Sequence, residues 1–91
     1  MSEEDLNQLY TIFESYGIEK KTLKGWIDNL ELDKGRRTES IIINLFLCLG
    51  IEKGLDIKHL KVLSEKLGHK QFRAHHLSQR IKFLKENIVK K

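Results

Sequence analysis

Residues 38–50 read Thr38-Glu39-Ser40-Ile41-Ile42-Ile43-Asn44-Leu45-Phe46-Leu47-Cys48-Leu49-Gly50, and how this stretch folds decides the architecture. Thr38 or Ser40 can cap a helix running from about 39 to 49, and its side chains are apolar almost all round. A helix of that kind sits at the centre of a domain or in a dimer interface. Ile41, Ile42 and Ile43 also suit a strand, because β-branched side chains fit a pleated surface.

The rest of the chain argues for helices. It has no proline and only six glycines, and Leu, Ile, Lys and Glu dominate, so little in it breaks helices or punctuates strands. The 91 residues, 40% hydrophobic, suffice for one domain with one core. Upstream, Leu6, Leu9, Tyr10, Ile12, Phe13 and Tyr16 repeat at helical spacing over 3–16, behind the carboxylates of Glu3, Glu4 and Asp5, which favour the positive end of a helix dipole. Gly17 suits a left-handed stop. Leu23, Trp26, Ile27 and Leu30 then mark a second helix, and residues 33–37 read as a loop. Downstream, Gly50 and Gly54 bracket a short connection. A fourth helix is expected over about 56–67, with Ile57, Leu60, Leu63 and Leu67 on one side. A fifth is expected over about 71–89, with Ala74, Leu77, Ile81, Leu84 and Ile88 as its core stripe. The expected fold is all-α, a bundle of about five helices.

Two windows resemble the helix-turn-helix of DNA-binding proteins. In the first, Leu9 to Asp28, the string from Tyr16 to Ile27 resembles the helix-turn-helix of insertion-sequence transposases and small phage regulators, with Phe13 where that pattern has a small residue. In the second, Leu60 to Gln79, Leu63 and Leu67 line one helix, Ser64 is the small residue at the crossing, Gly68 takes the turn, and Ala74 and Leu77 anchor the next helix. Here the departure is His69, where an aliphatic residue is usual. An offset of 51 residues aligns Gly17 with Gly68, which permits a duplication.

Charge chooses between the windows. The formal net charge of +4 divides into seven Lys/Arg against eleven Asp/Glu over 1–57 and ten against two over 58–91. A basic block this concentrated suits an acidic polymer, nucleic acid before membrane. DNA contact is therefore assigned to the 58–91 half, and core and dimer contacts to the acidic 1–57 half. With Ala74, Leu77 and Ile81 turned inward, Arg73, His76, Gln79 and Arg80 point outward. Arg73 and Gln79 have the chemistry to read base edges, while Lys58, Lys61, Lys70 and Arg80 suit phosphates; Gln71 and Lys82 complete the expected surface. Ile42, Phe46 and Phe83 are the expected contacts of a homodimer, and Phe72 lies with Phe83 on a second apolar stripe of the last helix.

Other chemistries find little footing. His59, His69, His75 and His76 are not arranged with a carboxylate or thiol, so no metal is expected. Nothing reads as a nucleophile with an ordered base or as a phosphate-cradling glycine loop, so neither enzymatic activity, a cofactor nor a small-molecule substrate is expected. The lone Cys48, an acidic N-terminus and the lack of any apolar run of about 20 residues indicate a cytoplasmic chain without a membrane partner. The competing reading is a helical protein-interaction module in which Trp26 and residues 41–49 form the interface.

Overall fold

In the structure, a computed structural model, residues 3–31, 38–68 and 77–89 are described. They form α1 (Glu3–Ser15), α2 (Lys20–Glu31), α3 (Thr38–Lys53), α4 (Ile57–Glu65) and α5 (Leu77–Asn87), and among the described residues there is no strand. The fold is all-α. No described helix is long and apolar enough to cross a membrane.

The choice between strand and helix at Ile41–Ile43 is resolved by where the side chains go. α3 packs on α2, α4 and α5, while α1 lies on α2. A helix enclosed by three others buries every face, and Ile41, Ile42, Leu45, Phe46, Leu47, Cys48 and Leu49 are all buried. Phe13 reaches across from α1, its ring 5.5 Å from that of Phe46 and 6.4 Å from that of Trp26 in an edge-on contact. Leu9, Leu23, Ile27, Leu30, Leu60, Leu63 and Leu84 complete the centre of the core.

Enclosure overturns one expectation. Ile42 and Phe46 are 0% exposed, covered by the chain's own helices, so they are core residues and not dimer contacts. Trp26, 6% exposed, is likewise unavailable as an interaction surface.

Three of the helices, α1, α3 and α4, run out at a glycine of positive φ. Gly17 adopts φ +81°, and behind it the Ile18 N–H donates to the Phe13 carbonyl at 2.9 Å while the Gly17 N–H donates to Glu14 at 2.9 Å, which closes α1. Gly54 does the same for α3 at φ +69°, with the Leu55 N–H donating to the Gly50 carbonyl at 3.0 Å. Gly50 itself, expected to break the helix, lies inside it. The reason is tertiary: the Leu60 side chain occupies the space a Cβ on Gly50 would need. α4 starts at Asp56, whose Oδ1 accepts from the His59 N–H at 2.8 Å, and its hydrogen-bonded turns run out at Gly68, φ +82°.

Candidate nucleic-acid interface

Two helices present the basic half. On α4, Leu60, Leu63 and Ser64 face the core, which by helical spacing turns Lys58, Lys61, Val62 and Glu65 to solvent. Lys66 follows at the helix end and is also exposed. On α5, Leu84 is buried and Leu77, Ile81 and Ile88 pack against the core. The opposite ridge carries Gln79, Lys82, Phe83 and Glu86, all exposed. The helices border a common cleft of about 280 Å³, lined by Ile81 and Lys85 of α5 and by Ile57 and Leu60 of α4 beside the Gly50–Leu55 turn.

Of the expected DNA-contacting residues, Lys58, Lys61, Gln79 and Lys82 are exposed. Arg80 is half-buried, and its Nη1 is enclosed without a hydrogen-bond partner among the described residues, so its guanidinium is turned partly away from solvent. Lys70, Gln71, Arg73 and His76 lie outside the described residues, as do Phe72 and Ala74. Lys66 and Lys85 belong to the same exposed set and were not singled out from the sequence, although their charge within the basic 58–91 block carried the signal.

Exposed apolar side chains occur on the same two helices. Val62 is 57% and Phe83 44% exposed, the large hydrophobic residues left in water among those described.

The acidic half differs in kind. α1 carries Glu3, Glu4, Asp5 and Glu14 and no base. Lys20, at the start of α2, stands 4.0 Å from Glu14 and 5.5 Å from the centre of the Tyr10 ring, so its charge is directed at its own domain. A cleft of about 420 Å³ at the Gly17–Ile18 turn is lined by Glu19, Glu52 and Lys53 over Trp26, a setting unfavourable to phosphate. Gly17 and Gly68, aligned by the 51-residue offset, share the same left-handed conformation.

His59 ties the halves together. Its Nε2 hydrogen-bonds the Tyr16 hydroxyl at the end of α1, and the two rings meet edge-on with centres 5.7 Å apart. Among the described residues no three His, Cys, Asp or Glu side chains converge as a metal site would require. Burial pushes the Cys48 thiol up to about 12, leaving it a neutral core group.

No protein-family model, curated protein or solved structure matches the chain.

Proposed function

We propose that the chain binds double-stranded DNA through its basic half, with α4 and the ridge of α5 against the duplex. The observation that carries this reading is the exposure of Lys58, Lys61 and Lys66 around α4 and of Lys82 and Lys85 on α5, against Glu65 and Glu86 as the acidic side chains of the same described helices. Cations fanned over two adjoining helices neutralise phosphates without needing partners in their own protein. Gln79 adds an exposed amide able to pair with adenine. The resemblance of the Leu9–Asp28 and Leu60–Gln79 windows to helix-turn-helix proteins extends the proposal to a small transcriptional regulator or a DNA-binding accessory of a phage, plasmid or other mobile element.

Titration of a labelled duplex across a salt series tests it. Affinity should fall steeply and linearly on logarithmic axes as salt rises, because each neutralised phosphate releases about 0.9 counterion. Absence of binding at low salt would exclude the reading. The competing function, a protein-interaction module, draws on the exposed Val62 and Phe83 and predicts binding to a protein partner that survives neutralising Lys58 and Lys61.

A further inference from the structure

We infer that α5 reads A·T base pairs in the major groove, with Phe83 lying against thymine methyl groups and Gln79 pairing with adenine. This rests on the DNA-binding reading and gives it a sequence preference.

Phe83 keeps 44% of its surface in water on the ridge opposite Leu84. Lys82 precedes it, Gln79 stands one turn before it, and the Asn87 side-chain amide donates to the Phe83 carbonyl at 2.9 Å in the last turn. Charge selects the occupant of this ridge. A second copy docked ridge to ridge would bring Lys82 and Lys85 against their equivalents, whereas an anionic polymer would neutralise them. Phenylalanine gives nothing to a phosphate, so its partner on that polymer must be apolar. In the major groove the accessible apolar group is the thymine C5 methyl, and the amide side chain that suits the paired adenine, presenting N6 and N7, is Asn or Gln.

Spacing agrees with the assignment. Four residues along an α-helix advance about 6 Å, close to two base-pair steps of about 3.4 Å each. Gln79 and Phe83 thus address base pairs two steps apart from one ridge, with Lys82 beside them at the backbone. A convex helix suits a groove about 12 Å wide, whereas single strands are bound by grooves and stacking platforms. Glu86, next along the ridge, marks the end of the surface offered to DNA.

The test is fluorescence anisotropy with alternating dA·dT duplex, the same duplex with uracil in place of thymine, a dG·dC duplex and single-stranded oligo-dT. Wild type should bind the thymine duplex about fourfold more tightly than the uracil duplex for each methyl it covers. Phe83→Ala should bind thymine and uracil duplexes equally while keeping the wild-type salt slope. Gln79→Ala should keep the thymine-over-uracil preference and discriminate less strongly against dG·dC, retaining only the part that the methyl contact supplies. Equal wild-type affinity for thymine and uracil duplexes would overturn the inference, as would a methyl preference that persists in Phe83→Ala. Tighter binding to oligo-dT than to any duplex, lost in Phe83→Ala, would also overturn it by making Phe83 a stacking residue. Failure to bind any of the four nucleic acids defeats the DNA-binding reading itself, whereas binding that weakens in Lys58→Ala and ignores the methyl defeats only the base assignment.

Discussion

A Cβ on Gly50 would stand 2.8 Å from Cδ1 of Leu60 and 3.2 Å from the Leu55 carbonyl oxygen, so α4 closes onto α3 at the one position of α3 where a side chain is missing. Glycine within a helix ordinarily costs about 1 kcal/mol relative to alanine. Here the cost is offset by the burial of Leu60, 1% exposed. Gly50→Ala is therefore expected to destabilise the fold by about 1 kcal/mol net, the gain in helix propensity being outweighed by overpacking of about 1–3 kcal/mol. Gly25 in α2, whose added Cβ would meet nothing within 4 Å, supplies the control: Gly25→Ala should stabilise by about 0.5–1 kcal/mol. Denaturant midpoints of the two variants moving in the same direction would refute the packing account.

Trp26 should behave as a core anchor. It is 6% exposed and meets the edge of Phe13. Trp26→Ala is expected to cost about 3–5 kcal/mol through lost burial and the cavity left behind. As the chain has a single tryptophan, native fluorescence reports on this site alone, and it should be poorly quenched by acrylamide until the protein unfolds. A loss under about 0.5 kcal/mol would place Trp26 in solvent and revive the protein-interaction reading.

Much of this core was legible in the spacing of apolar residues. Leu9 and Phe13, then Leu23, Trp26, Ile27 and Leu30, repeat at helical intervals, and each is buried. Periodicity alone left Ile41–Ile43 undecided, because a segment apolar on every face has no period to read, and α3 has almost no amphipathic asymmetry. The same uniformity made Ile42 and Phe46 look like interface residues: sequence reports that a face is apolar, not which element covers it. Gly50 was misread for a related reason, since its use depends on Leu60 in the next helix. At the candidate interface the outward placement of Gln79 followed from amphipathic spacing and the choice of Lys58, Lys61 and Lys82 from charge, whereas Arg80, also read as outward, sits at the boundary beside Ile81, where a turn of about 100° per residue is too coarse to separate half-buried from exposed.

Cys48 gives the fold a pH dependence of defined sign. Burial raises its thiol from 9.0 to about 12, so between those values the unfolded chain has lost a proton that the folded chain retains. The unfolded state then binds fewer protons, and stability falls as pH rises through this range by up to about 1.4 kcal/mol per pH unit. Below pH 9 the contribution is constant. Cys48→Ala should be modestly less stable than wild type at neutral pH, and the difference should shrink or reverse between pH 9 and 12. A constant difference across that range would mean that the thiol reaches water. In the native protein at neutral pH, thiol reagents should modify Cys48 only as fast as the protein unfolds.

Enclosure of α3 also bears on self-association. With Ile42 and Phe46 inside the chain, Val62 and Phe83 are the large apolar side chains that the described surface exposes, and each shares its helix with lysines that repel their copies. The free protein is expected to sediment as a monomer at tens of micromolar. A dimer that persists at high salt would require an apolar interface that these residues do not provide.

The division of labour between the halves can be read from salt dependence. If Lys58 and Lys61 each hold a phosphate, Lys58→Ala plus Lys61→Ala should lower the slope of log affinity against log salt by about two units, at about 0.9 counterion per contact, and should weaken every duplex alike. The matched pair is Lys20→Ala plus Lys24→Ala on α2. Lys20 is occupied by Glu14 and Tyr10, and the neighbouring surface of α1 is acidic, so losing these two cations should leave the slope unchanged within about half a unit. All four side chains are exposed, which makes loss of fold a poor explanation for any difference, and thermal unfolding of both variants verifies this. The reverse result, a slope reduced by the α2 pair and untouched by the α4 pair, would move DNA contact to the Leu9–Asp28 window. Two silent pairs in folded protein would leave binding, if it is observed at all, without the electrostatic basis argued from α4 and α5, and the protein-interaction reading would take its place.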